Sequence, residues 1–165
     1  VDTFEEYKLM ADALFEKSAL LIAQTNMPTD FDWRVGILDR KPLYVCKYFM
    51  AGSHWQIIQR DPRTGKTIEG EFETLAVEAA PKNVVNLALR AANLIGDGLY
   101  GVDIKQVGSR LYVIEINDNP SIDAGVEDKV LKKTLYTTIM NSFLTRIEMR
   151  KKPYSPVTRP QKSGS

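Results

Sequence analysis

The sequence predicts an α+β fold, a mostly antiparallel sheet flanked by helices, and three observations predict it. Two pairs of strand-length apolar runs, within 32–50 and 99–117, are each joined by a short turn. Between them lies one stretch with helical apolar spacing, opened by Pro81 and stopped by Gly96. A last periodic stretch runs from about Glu127 to Met149. Strands and helices that do not alternate one for one belong to layered α+β architectures.

Composition narrows the possibilities. The chain has 165 residues, 44% of them hydrophobic and 26% charged, enough for one domain with a real core. No apolar run approaches the ~20 residues of a membrane span, so no membrane partner is expected and the chain reads as cytoplasmic. Cys46 and His54 are each alone of their kind, which excludes a disulfide framework and a Cys- or His-based zinc site. The net charge of +1 hides an asymmetry: residues 146–165 carry six basic side chains against Glu148, leaving 16 basic and 20 acidic residues in 1–145. A basic tail suits phosphate contacts. With Pro153, Pro156, Pro160 and a closing Ser-Gly-Ser it reads instead as a disordered terminus over 151–165, behind a folded unit over 1–150, with nucleic acid not an expected partner.

Taken in order, Thr3 and Glu6 have capping-box spacing, and Tyr7, Met10 and Leu14 form a helical face through about Lys17. The run ALLIAQ, 19–24, predicts a buried strand, followed by a polar connector containing Pro28. Residues 32–39 and 43–50 predict a hairpin turning through Asp39-Arg40-Lys41-Pro42. Strands are expected again at 55–60 and near Phe72. The helix after Pro81 has Val84, Val85, Ala88, Ala91, Ala92 and Ile95 as its apolar stripe. A second hairpin turns about Gly108-Ser109.

That second hairpin carries the chemistry. Asp103 interrupts one apolar strand, and Glu115 and Asn117 interrupt the other. A carboxylate inside a strand that otherwise reads as core is expensive without a compensating cation. Glu115 and Asn117, two apart, share a face. Three converging oxygen ligands make a hard-cation site suited to Mg²⁺ or Mn²⁺. A strict two-residue turn, however, would pair Asp103 with Ile114 and send it to the other face. The site therefore requires a bulge or an odd-length loop.

The Asp103…Glu115-x-Asn117 pattern, running into Asp118-Asn119-Pro120-Ser121, resembles the C-terminal metal motif of ATP-grasp ligases, within them the RimK-like branch that includes glutamate ligases. The stretches 30–57 and 96–128 are similar to a RimK-related subgroup, and the resemblance covers roughly 19–145. It implies an ATP-grasp C-terminal subdomain that uses ATP and Mg²⁺ to join a carboxylate such as glutamate's to an amine on a protein, peptide or amino-acid acceptor through an acyl phosphate. It implies Asp103, Glu115 and Asn117 as metal ligands. Gln24, Thr25, Asn26 and Met27 become the adenine-binding hinge, and Asp32 an acid near the ribose. Arg34 and Lys47, read as sharing a face turned to phosphates, and His54 in the 53–56 loop become catalytic contacts. Relatives often carry an acid where this chain has Gln24, and an Arg where it has Gly101. Asp123 and Glu127 are either amine contacts or helix caps, with Glu127 favoured as a cap. Complete relatives have an upstream domain and a lid, and about 18 residues before Ala19 accommodate neither, so a portion of a longer enzyme, inactive by itself, is expected, with its oligomeric state left open. The alternatives are a non-catalytic nucleotide-binding module or a ribosome- or RNA-associated one.

Overall fold

The computed structural model describes residues 1–50, 58–60, 67–69 and 71–151. Helix α1 (Phe4–Phe15) is followed by strands β1 (Phe31–Leu38), β2 (Lys41–Phe49), β3 (Ile58–Arg60), β4 (Thr67–Glu69) and β5 (Phe72–Leu75). A short 3-10 turn, α2 (Lys82–Ile95), β6 (Leu99–Val107), β7 (Arg110–Asn117) and α3 (Lys133–Lys151) complete the order. Five strands form one antiparallel sheet in the order β5-β2-β1-β6-β7, while β3 and β4 pair only with each other. No helix among the described residues is long and apolar enough to cross a membrane.

The amphipathic stripe of α2 explains one face of the sheet. Val84, Val85, Ala88, Ala91 and Ala92 are buried against Trp33, Val35, Ile37, Val45, Tyr100, Val102 and Ile104. Each fully buried valine contributes about 1.5–3 kcal/mol by removal of apolar surface from water. Ile95 does not share in this; it lies exposed at the helix end, where Gly96 takes a φ of 141° and stops the helix. On the other face Leu38, Tyr44 and Cys46 pack against Leu135 and Ile139 of α3. That covers the β1–β2 side and leaves the β6–β7 side of this face to the polar residues described below.

Several expectations need correction. ALLIAQ is not a strand: residues 19–24 join neither sheet, and Leu20 and Ile22 are 75% and 81% exposed. The helix before it is capped as expected, with the Glu6 N–H donating to Thr3 Oγ1 at 3.2 Å, yet it buries none of its residues. Glu6 closes on the N–H of Asp2 at 2.9 Å, and the backbone N–H groups of Asp2 and Thr3 hold its carboxyl below the usual range. The first hairpin turns in two residues, Asp39 and Arg40 with φ of 49° and 63°, so Lys41 and Pro42 already belong to β2. Pro42 is tolerated there because the pairing breaks beside it: Gly36 opposes Tyr44, Ile37 opposes Pro42, and Leu43 is left unpaired. The last helix begins at Lys133 rather than near Glu127, so Glu127 caps nothing; it is buried in the irregular segment before the helix. His54, residues 55–57 of the strand expected at 55–60 and the tail beyond 151 lie outside the described residues, while 58–60 form β3.

Candidate functional site

Strand pairing assembles the site. Across β1 and β6, Asp32 opposes Lys105, Arg34 opposes Asp103 and Gly36 opposes Gly101. Across β6 and β7, Asp103 opposes Glu115 and Gly101 opposes Asn117. The turn at Gly108-Ser109 has two residues, with Gly108 at a φ of 59°, and strict pairing runs as far as Ile104 opposite Val113. There Ile114 drops out of the ladder as a β-bulge, and Glu115 comes round to Asp103. The bulge that the metal reading requires is present. Asp32, Arg34, Asp103, Lys105, Glu115 and Asn117 thus occupy one face.

Two ion pairs of opposite polarity lie side by side on that face. Arg34 forks onto Asp103, Nε to Oδ1 and Nη2 to Oδ2, both at 2.8 Å. The bond to Asp103 raises the guanidinium pKa further above its ordinary value against the opposing effect of burial, so Arg34 is a fixed cation. Lys105 donates to both oxygens of Asp32 at 2.8 and 2.9 Å and to Thr29 Oγ1 at 2.9 Å, while the Thr29 hydroxyl donates to Asp32 at 2.7 Å. All four charged side chains are about four-fifths withdrawn from solvent (20% and 21% exposed, 17% and 20% exposed), where removing one partner strands the other. The sequence reading missed Lys105. Its signal was its place two residues after Asp103 on the same strand face.

Glu115 is exposed, and its carboxylate has no hydrogen bond or ion pair among the described residues. Asn117 accepts the N–H of Asn119 at 2.8 Å through Oδ1. Facing this surface is a cleft of about 1110 Å³, walled by the irregular segment from Gln24 through Thr29 and floored by Asp32, Lys105, Asp103 and Glu115. Gln24, Thr25, Asn26 and Met27 therefore stand across one cavity from two of the three expected metal ligands. They reach it as irregular chain and not as the end of a strand.

Lys47 is not part of this constellation. Arg34 pairs with Cys46, which puts Lys47 opposite Trp33 on the α2 face. Its ammonium lies 5.1 Å from the Trp33 ring centroid and 5.4 Å from that of Phe31, and binds Glu73 at 2.8 Å. The expectation that Arg34 and Lys47 share a face fails because Leu43 bulges out of β2 and reverses the alternation beyond it.

Among the described residues no three His, Cys, Asp or Glu side chains cluster tightly enough to hold a metal ion. The expected donor set, Asp103, Glu115 and Asn117, is two carboxylates and one amide, and Asp103 is already held by Arg34. Oxygen donors of this kind fit a hard cation such as Mg²⁺, which needs few protein ligands.

The architecture has counterparts among solved structures. D-alanine–D-alanine ligase from Bacillus anthracis superposes with a TM-score of 0.65 at 16% identity, over 89% of this chain and 51% of the ligase. The α+β fold of this chain is thus shared with about half of that ligase. The same ligase complexed with ATP gives a TM-score of 0.64 at 16% identity, over 90% of this chain and 51% of the other. The ATP-grasp ligase PsnB complexed with a minimal precursor matches with a TM-score of 0.49 at 20% identity, over 74% and 37%. The chain thus spans about half the length of the D-alanine–D-alanine ligase it matches. No protein-family model and no curated protein matches the sequence.

Proposed function

We propose that this chain forms the nucleotide- and cation-binding part of an ATP-dependent carboxylate–amine ligase of the ATP-grasp type. The observation that carries the reading is the bulge at Ile114, which sets Glu115 opposite Asp103 on the floor of a cleft walled by residues 24–29. In the proposed reaction an oxygen of the substrate carboxylate attacks the γ-phosphorus of ATP and ADP leaves. The amine nitrogen then attacks the acyl phosphate carbon, expelling phosphate and losing a proton to form the amide.

The chain's own residues bind and orient. Gln24, Thr25, Asn26 and Met27 line the cleft, where their backbone groups would offer an adenine base its hydrogen bonds, with the Asp32–Lys105 pair beside them for the ribose. Asp103, Glu115 and Asn117 would hold Mg²⁺ or Mn²⁺, which when bound neutralises phosphate charge. Arg34, fixed as a cation, holds the plane of the Asp103 carboxylate. The resemblance of 30–57 and 96–128 supports the RimK-like branch, with a glutamate-like carboxylate and an amine on a protein, peptide or amino-acid acceptor, and the composition suits a cytoplasmic setting. A binding module without ligation is the second reading. The fork from Arg34 favours it, because a guanidinium already neutralises Asp103.

Titration calorimetry of ATP and ADP, with and without Mg²⁺, into the chain and its Asp103→Ala/Glu115→Ala variant separates them. Binding that needs both the metal and the acids is expected. Binding indifferent to both supports the module, and no binding overturns the assignment of the nucleotide site to this chain.

A further inference from the structure

The irregular segment between β7 and α3 contains a carboxylate that the proposed chemistry does not use. Glu127 is 0% exposed and is the sole buried charged side chain among the described residues. Its partners are neutral: the Tyr48 hydroxyl donates to one oxygen, and the Asp123 N–H donates to the other at 2.8 Å. A carboxylate withdrawn from water without an adjacent cation depends on such donors and on a well-fixed surrounding. The surrounding is fixed. The Val126 carbonyl accepts the Thr74 hydroxyl of β5 at 2.7 Å, and Pro120 sits in the space Gly101 leaves, where an added Cβ would come within 2.8 Å of its ring.

Tyr48 connects this segment to the acids. The Arg34 guanidinium carbon lies 5.2 Å from the centroid of its ring, and Arg34 in turn forks onto Asp103. Burial, and then the bond to Glu127, pushes the Tyr48 phenol well above its ordinary pKa, so it remains a proton donor throughout the neutral range. One line of contacts therefore runs Glu127, Tyr48, Arg34, Asp103.

The geometry points to Glu127 as a positioning residue for Asp103. By holding the Tyr48 hydroxyl it holds the ring on which Arg34 rests, and Arg34 sets the carboxylate opposite Glu115. The inference rests on the reading of Asp103 and Glu115 as cation ligands, and its test is made without metal.

The Arg34 Nε–H, donated to Asp103, is observed by nitrogen-edited NMR of the metal-free chain through its exchange with water. Tyr48→Phe keeps the ring and removes the hydroxyl, and Glu127→Gln keeps the shape and removes the charge. Each is expected to speed Nε–H exchange by roughly tenfold, the weight of one hydrogen bond to a charged group. Thr74→Val, which removes a bond of the same segment but leaves the Glu127–Tyr48 bond in place, is expected to speed that exchange less than either substitution. Unchanged exchange in both Tyr48→Phe and Glu127→Gln overturns the inference whatever their melting temperatures, and Tyr48→Phe alone decides if Glu127→Gln does not fold. Mn²⁺ titrated into the unaltered chain, followed by loss of its free-ion electron resonance signal, tests the cation reading separately. No uptake beside a responsive Nε–H sinks that reading and leaves Glu127 positioning Asp103.

Discussion

The hairpins β1–β2 and β6–β7 share a plan and end with opposite results. Each turns in two residues, and each leaves one residue of its second strand unpaired, Leu43 in one and Ile114 in the other. In β6–β7 the extra residue brings Glu115 onto the face of Asp103; in β1–β2 it turns Lys47 away from the face of Arg34. Side chains alternate along a strand with period two, so one unpaired residue inverts everything beyond it. The turns differ as well. Gly108 takes its positive φ freely, whereas Asp39 and Arg40 do so without glycine and are tied by their side chains, Asp39 to Ser142 and Arg146 of α3 and Arg40 to Asp97. Burial raises the Asp39 carboxyl pKa, but the Ser142 and Arg146 bonds outweigh it and hold the group below its usual range. One hairpin gets its shape locally, and the other from contacts made far away in sequence.

The sharpest way to break this comparison is at the β7 bulge. Ile114→Glu/Glu115→Ile exchanges the unpaired residue with its neighbour and is expected to abolish Mg²⁺-dependent nucleotide binding by calorimetry. Deletion of Ile114 removes the bulge but leaves Glu115 opposite Asp103, and binding is expected to survive. Next in size is Gly36→Ala in β1. Its Cβ would stand 2.2 Å from a Tyr44 ring atom, and displacing that packed ring costs about 1–3 kcal/mol, read as a lower urea midpoint at unchanged slope.

A smaller effect belongs to Cys46 in β2. Burial pushes its thiol up to about 11 from an ordinary 9.0, so the folded chain keeps a proton that the unfolded chain releases. This contribution is fully present below about pH 9 and is lost as pH rises towards about 11. Urea midpoints should fall across that window, and less steeply in Cys46→Ala. Smallest is Lys47→Met: loss of its ring contacts and its half-exposed pair with Glu73 is expected to cost about 1 kcal/mol or less and to leave nucleotide binding unchanged. Weakened nucleotide binding in this variant would restore Lys47 to the site.

The parts of the molecule governed by local rules were legible. The α2 stripe, both two-strand runs and the Thr3 cap follow from spacing and turn chemistry, and so did the need for a bulge if Asp103 and Glu115 were to meet. ALLIAQ misled because an apolar run becomes a strand only where a sheet edge accepts its backbone groups, and here neither edge does. Lys47 misled because nothing in LYVCKYFM marks which residue will drop out of the ladder. Glu127 reads as an ordinary helix-start acid; its burial depends on Tyr48, 79 residues earlier. Lys105 was hidden in plain alternation, and only pairing with β1 gave it Asp32.

The seam between β1 and β6 has a consequence for how the chain comes into being. Each hairpin closes over two residues and can form within microseconds, but Arg34 and Asp103 are 69 residues apart. During synthesis β1 and β2 emerge well before β6, and until α2 and β6 follow, β1 is an edge strand with Trp33, Val35 and Ile37 uncovered. The floor of the cleft is therefore among the last surfaces to be completed, and until then the nascent first hairpin keeps an open strand edge and an uncovered apolar face.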